Sequence, residues 1–268
     1  MEEGTLIRNG RLTVSLFHGT STLFYDSILE SGLGGRNAVE DFGIRAAARL
    51  LVEVCDTHEL RSEWPLEMDA CDKIAADPKK QDLIYTSGFS FRYGGAYVSP
   101  SQATAIRYAL LNDCGSEALA CTLKLLRKLS NARPDLVTRC DFSIIGALAQ
   151  KPRKPLVIEA RDIEVGSLRA EQGGGCNNAL RLIEDALTGD PEIYDLWLQQ
   201  ANFELVKPAP PHQLRFYEVM KRVRADGDHP VLELFRPNHK PECARLASRT
   251  QPSFTHILYP PVDCNCER

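Results

Sequence analysis

Three short segments of the chain each hold a side chain that can take part in chemistry. The segment LFHGTS places His18 directly before a glycine, YVSPSQATAIRYA begins with Tyr97, and NFELVKP contains Glu204. An imidazole is a compact hydrogen-bond donor and acceptor, and an aromatic face attracts an electron-poor or cationic ring. A fixed carboxylate stabilises positive charge that develops in a transition state. Binding of a flat ring and stabilisation of a developing cation are the chemistry that these residue types offer.

The local sequence predicts that each of these residues lies on a strand or at its end. β-Branched and apolar residues fill positions 11–19 and end on glycine, which is typical of a buried strand, and a helix is predicted to follow. A short strand is predicted at residues 96–99, and Ser101 is placed to cap the next helix. PLVIEARDI, NFELVKP and LRFYEVMKRV have the composition of further strands, the last two joined by the stiff linker PAPPHQ.

The order of these elements predicts the fold class. Strands and helices are mixed without regular β-α-β alternation, which indicates an α+β fold. The chain of 268 residues is predicted to be a single domain. A helix-rich stretch over about residues 45–80 is interpreted as an insertion or cap. The proline-punctuated tail from about residue 226 is assigned no regular structure.

Composition and charge exclude several classes of function. An apolar content of 43% and a charged content of 25% are typical of soluble globular proteins, and a net charge of −4 gives no overall positive field for nucleic acid. Nine scattered cysteines without an apolar signal stretch after Met1 predict reduced thiols and a cytoplasmic location. No apolar run approaches the length of about 20 residues that spans a bilayer, so no membrane association is expected. Cys264 and Cys266 lack a second ligand pair at zinc spacing, so no metal site is expected.

The first two segments resemble the first two motifs of ADP-ribosyltransferases of the H-Y-E class, which includes diphtheria-like toxins and poly(ADP-ribose) polymerases. The resemblance covers about residues 12–35, 89–111 and 156–223, and it implies a split antiparallel β-sheet core and NAD⁺ as a substrate. In that class the histidine bonds a ribose hydroxyl, the next glycine holds the nicotinamide amide through its backbone, and the strand tyrosine stacks on the nicotinamide ring. The residues that the resemblance assigns to NAD⁺ are His18, Gly19, Thr20, Tyr97, Ser99 and Tyr108.

The third segment resembles the final strand pair of the class, in which a glutamate opens a short apolar strand. This alignment selects Glu204 to stabilise the oxocarbenium charge, with Glu218 and then Glu159 as alternatives. Asn202 lies two positions earlier, and strand alternation places it on the same face as Glu204. In related enzymes the residue at this offset orients the acceptor. Many of them have glutamine or glutamate there, so the asparagine leaves the type of acceptor open.

The function implied by the resemblance is mono-ADP-ribosyl transfer from NAD⁺ to a macromolecule, without a metal. Many enzymes of this size in the class act as intracellular toxins or effectors, for which an inhibitory partner protein is a further expected partner. The acceptor is either a protein side chain or a nucleic-acid base. Basic clusters at residues 124–128, 151–154 and 221–224 would favour nucleic acid if they converge in space.

Two other functions fit parts of the same sequence. A related NAD⁺-dependent RNA 2′-phosphotransferase shares the histidine motif and needs additional arginines, for which Arg92 and Arg107 are candidates. A catalytically silent module that binds ADP-ribose or a partner protein would keep the binding residues. Release of nicotinamide from NAD⁺ separates the enzyme from the silent module.

Overall fold

The computed structural model describes residues 6–76, 95–112, 114–171, 176–189, 197–223 and 230–235. All of them belong to one compact unit, Met1–Pro237. The predicted α+β class is confirmed, because helices accompany three small antiparallel sheets. The strands are β1 (Ile7–Arg8), β2 (Arg11–Leu12), β3 (Leu16–Ser21), β4 (Ala96–Val98), β5 (Pro155–Ala160), β6 (Leu168–Ala170), β7 (Phe203–Leu205), β8 (Leu214–Val223) and β9 (Pro230–Phe235). The helices are α1 (Tyr25–Ser31), α2 (Ala38–Asp41), α3 (Ile44–Thr57), α4 (Pro65–Ala75), α5 (Gln102–Leu111), α6 (Glu117–Ala132), α7 (Pro134–Arg139), α8 (Ser143–Gln150) and α9 (Asn177–Thr188).

The largest sheet carries the histidine strand at one edge. Its strand order is β3-β5-β8-β9, and all neighbouring strands are antiparallel. The central strand β5 is buried over residues 156–160, as its apolar, β-branched composition requires. The strand β8 has the bounds predicted from LRFYEVMKRV.

A second sheet carries the tyrosine and glutamate strands. Its order is β4-β7-β6, again antiparallel throughout. Val98 on β4 and Phe203 on β7 point into an apolar core shared with β5 and α9. The two sheets meet where Phe17 and Ser99 exchange both of their backbone hydrogen bonds, of 2.7 and 2.9 Å. This junction places the tyrosine strand directly beside the histidine strand.

The C-terminal part of the described chain corrects one expectation. The tail from residue 226 was predicted to be irregular, but Pro230–Phe235 form β9, which pairs with β8 at the edge of the larger sheet. The proline that argued against a strand is its first residue, and an edge strand tolerates proline there because that position needs no ladder donor. Residues 236–268 lie outside the described part of the chain.

The helix-rich segment predicted as an insertion is helical over much of its described length, as α3 and α4. These helices share one apolar core with α6, which comes after the tyrosine strand in the chain, and α7 and α8 contribute to the same core. Arg45 at the start of α3 is 5% exposed and donates hydrogen bonds to the carbonyl oxygens of Ile74 and Ala76 at the end of α4. The segment is thus one part of a larger helical core.

Candidate functional site

A cleft of about 310 Å³ lies between the tyrosine strand, the histidine strand and the helices α1, α2, α5 and α6. Its wall holds seven of the eight residues that the sequence placed in a site. They are His18, Gly19, Thr20, Tyr97, Ser99, Tyr108 and Asn202. The eighth, Glu204, lies behind Gly95 of the same wall, where a β-carbon on the glycine would come within 2.9 Å of the glutamate Oε1. Residues far apart in the chain are therefore gathered around one cavity.

His18 is held by the main chain of the tyrosine strand. Its Nδ1 lies 2.6 Å from the carbonyl oxygen of Tyr97, and because a carbonyl only accepts, Nδ1 must carry the proton and donate it. Burial lowers the pKa of His18, and the hydrogen bond to Tyr97 opposes that shift only in part. The ring is therefore neutral at neutral pH, with Nε2 as a hydrogen-bond acceptor.

Two tyrosines line the cleft from different elements. Tyr97 lies on β4, and Tyr108 lies one helix later on α5, which Ser101 caps as predicted by accepting a hydrogen bond from the Thr104 amide. The pKa of Tyr108 is raised by burial and next by the negative charge of Glu117, at the start of α6. Tyr108 therefore stays protonated, so it presents a neutral ring.

The register of the second sheet places Glu204 beside Tyr97. The two residues are directly paired between β7 and β4, and Arg169 of β6 is paired with Glu204 on the other side. Directly paired residues project from the same face of a sheet, so all three side chains lie on one face. Arg169 Nη2 and Nε lie 2.5 and 3.0 Å from Glu204 Oε2, which fixes the carboxylate in place.

The two alternative glutamates lie elsewhere. Glu218 is on β8 and forms a 2.7 Å ion pair with Lys154. Glu159 on β5 is buried and accepts hydrogen bonds from Ser15, Arg161 and Tyr217. Neither residue belongs to the cleft wall.

Three of the residues assigned to NAD⁺ also have structural partners. Gly19 allows α5 to approach β3, because a β-carbon there would lie 2.1 Å from the carbonyl oxygen of Ala105. The Thr20 hydroxyl donates to the carbonyl of Gly115 at 2.9 Å. The Ser99 hydroxyl accepts from the Ser101 amide at 3.2 Å. Gly19, Thr20 and Ser99 therefore each have a structural role in addition to any role in binding.

Sequence reasoning missed two carboxylates in the cleft wall, Glu171 and Glu117. The β6–β7 ladder continues past its last paired residues through a 3.1 Å hydrogen bond from the Glu171 amide to the Asn202 carbonyl. Hydrogen bonding from Asn202 lowers the pKa of the Glu171 carboxyl, against the rise that burial causes. Asn202 donates a further 3.4 Å hydrogen bond to the carbonyl of Gln199. The sequence around Glu171, LRAEQGGG, contains no motif that would have marked it.

Other expectations concern arginines, metals and membranes. Arg107 is exposed on α5 and does not line the cleft, whereas Arg92, Cys264 and Cys266 lie outside the described residues. Within the described ranges, no group of three His, Cys, Asp or Glu side chains is arranged to hold a metal ion. None of the described helices combines the length and apolar character needed to cross a bilayer.

Comparison of the chain with protein-family models, with curated proteins and with solved structures gives no match. The geometry of the cleft and the three motifs are the features of the chain that bear on its function.

Proposed function

We propose that this protein is a mono-ADP-ribosyltransferase that cleaves NAD⁺ and transfers ADP-ribose to a macromolecular acceptor. The observation that carries the proposal is that His18 and Tyr97 line one cleft and that Glu204 lies directly beside Tyr97 on the paired strand. His18 is bonded to the main chain of Tyr97, and Tyr97 is directly paired with Glu204. This arrangement supports the split antiparallel sheet of the H-Y-E class as the finer description of the fold.

The size and surface of the cleft suit the nicotinamide end of NAD⁺. Its volume of about 310 Å³ lies at the lower end of small-molecule sites, so the cleft would hold part of the dinucleotide. The rings of Tyr97 and Tyr108 offer aromatic surface to the cationic nicotinamide ring, which attracts such faces. In the neutral His18 ring, Nε2 carries no proton, so it can accept a hydrogen bond from a ribose hydroxyl.

The proposed reaction breaks the bond between ribose C1′ and the nicotinamide nitrogen. The bonding electron pair leaves with nicotinamide, and positive charge develops on the ribose. Glu204, fixed by Arg169, would stabilise that charge because the carboxylate is already oriented before the bond breaks. The nucleophile of the acceptor then bonds C1′ and loses its proton.

The test is nicotinamide release from NAD⁺ by the purified protein. We expect Glu204→Gln to lower the turnover number by about 10²-fold or more while NAD⁺ affinity changes little, because the charge acts mainly in the transition state. The matched control is Glu218→Gln, which removes a glutamate of β8 in the other sheet, outside the cleft wall, and should keep near wild-type turnover.

Two results would contradict the proposal. A wild-type protein that binds ADP-ribose without releasing nicotinamide would be the silent binding module. Loss of turnover in Glu218→Gln, with normal turnover in Glu204→Gln, would transfer the catalytic role to the alternative glutamate.

A further inference from the structure

We propose that Glu171 is the base that takes the proton from the acceptor nucleophile, and that Asn202 holds its carboxylate in position. This inference rests on the proposed transfer reaction and assigns the one step in it that Glu204 does not perform. In that step the nucleophile X–H forms a bond to ribose C1′ and its proton passes to the Glu171 carboxylate. Nicotinamide has by then left with the electron pair of the broken bond.

The position of Glu171 follows from the strand register. Arg169 pairs with Glu204, and Ala170 pairs with Phe203, so Glu171 comes opposite Asn202 as the ladder continues. Side chains two residues apart on a strand project from the same face, separated by about 6.6 Å. Glu171 therefore lies on the face of Glu204, one such step away.

The two carboxylates on this face have different surroundings. Glu204 is held by Arg169 and lies behind Gly95, whereas Glu171 lines the cleft. Among the described residues no ion pair involves Glu171, and the residue opposite it across the strand pair is the uncharged Asn202. Glu204 thus has the setting of a fixed anion, and Glu171 that of a carboxylate able to exchange a proton with a molecule in the cleft.

Burial raises the pKa of Glu171, the charge of Glu117 raises it further, and the hydrogen bond from Asn202 opposes the rise. A raised pKa makes a carboxylate a better general base, because its basicity grows as the pKa approaches the working pH. The titratable and charged groups that share the cleft wall with Glu171 are His18 on β3, Arg36 ahead of α2, Tyr97 on β4, Tyr108 on α5 and Glu117 on α6. Arg169 and Glu204 form the next cross-strand pair.

This geometry also gives Asn202 a more specific role than orientation of the acceptor. Its amide group donates to the Gln199 carbonyl, its backbone carbonyl accepts from the Glu171 amide, and it lowers the pKa of the Glu171 carboxyl. Asn202 is therefore a positioning residue that acts on the acceptor through Glu171.

The experiment compares two fates of the ribosyl group with purified protein and NAD⁺. Water is a nucleophile that must lose a proton, and it yields ADP-ribose. The probe 3-acetylpyridine attacks through a ring nitrogen with no proton to lose, and it yields the exchanged dinucleotide. Both products are quantified by chromatography at saturating NAD⁺.

The expected result is that Glu171→Gln lowers ADP-ribose formation at neutral pH by about 10²-fold, the usual contribution of a general base. Exchange should fall much less, so the ratio of exchange to hydrolysis rises. In the wild type we expect the turnover number for hydrolysis to fall toward acid pH as Glu171 becomes protonated. In Glu171→Gln this fall should be absent. In Asn202→Ala that decline should move to higher pH, because the hydrogen bond that holds the pKa down is gone.

Two control variants separate this role from an effect of charge or folding. Glu184→Gln removes an exposed glutamate of α9, outside the cleft, and should leave both products unchanged. Glu117→Gln removes a charge that raises the pKa of Glu171 but keeps the base itself, so the acid decline of hydrolysis should remain and should move to lower pH.

The inference is overturned if hydrolysis and exchange fall together in Glu171→Gln, or if hydrolysis keeps its rate and its acid decline. A wild type that releases no nicotinamide overturns the proposed function itself. If NAD⁺ cleavage needs Glu204 but not Glu171, the proposed function is retained and only the assignment of Glu171 as the base is rejected.

Discussion

At the scale of single residues, Tyr97 combines two roles that substitutions can separate. Its main chain pairs with Glu204 and accepts the hydrogen bond of His18, while its ring is part of the cleft wall. Replacing the side chain therefore removes ring surface and leaves the backbone groups that hold the neighbouring residues.

We expect Tyr97→Ala to raise the dissociation constant of NAD⁺ about tenfold, because a stacked aromatic pair contributes about 0.5–1.5 kcal/mol beyond its buried area. Tyr97→Phe keeps the ring and should bind with nearly wild-type affinity. Calorimetric titration with a nonreactive NAD⁺ analogue measures both constants. Equal affinities in the wild type and in Tyr97→Ala would mean that the nicotinamide ring binds elsewhere.

At the scale of secondary-structure elements, α5 approaches β3 closely beside the cleft. Only glycine fits at position 19, because the backbone carbonyl of Ala105 occupies the space of a β-carbon. Ala105, Ala109 and Val157 then form a small apolar contact between the helix and the sheet. The separation of α5 and β3 in turn determines how far Tyr108 lies from His18.

We expect Gly19→Ala to lower the free energy of unfolding by about 1–3 kcal/mol, the usual cost of forcing atoms into a filled space. The control is Gly146→Ala on α8, where a β-carbon would meet no atom within 4 Å. Alanine there should raise the free energy by up to about 1 kcal/mol because it favours helix more than glycine does. Urea unfolding followed by circular dichroism measures both changes, and equal stability of Gly19→Ala and the wild type would contradict the assigned contact.

At the scale of the whole molecule, three lysines of the first two basic clusters form ion pairs with glutamates. Lys124 and Lys128 both contact Oε1 of Glu67, at 3.0 and 2.9 Å, and Glu67 is only 7% exposed. Burial alone would raise the pKa of Glu67, but these two lysines outweigh it and hold that pKa low. Lys154 in the second cluster is paired with Glu218. Together with a net charge of −4, these pairs weaken the case for a nucleic-acid surface.

We therefore expect a protein acceptor. Whole-cell extract incubated with the enzyme and NAD⁺ labelled in its adenylate part should give macromolecular label that protease releases and nuclease does not. The Glu204→Gln variant serves as the control for label that does not depend on catalysis. Label released by nuclease alone would show a nucleic-acid acceptor and would restore a role for the basic clusters.

The sequence alone was informative where the cause of structure is local. Apolar and β-branched runs predicted β8, a serine at the right position predicted the start of α5, and two motifs singled out His18 and Tyr97. β9 was missed because a leading proline is compatible with a strand at the edge of a sheet but argues against a central strand. That condition is a property of the sheet, and the residues of the strand do not show it.

The composition of the site depended on contacts between distant parts of the chain. Glu204 and Glu218 both lie in short strand-like segments of similar composition, and only strand pairing places the first beside Tyr97 and the second beside Lys154. Glu171 belongs to no motif, yet register brings it opposite Asn202 and into the cleft. Strand propensity and capping act over a few neighbouring residues, whereas register joins groups as distant as His18 and Tyr97, which are 79 positions apart. For that reason the sequence could name candidate residues, and the tertiary structure decided which of them face the same cavity.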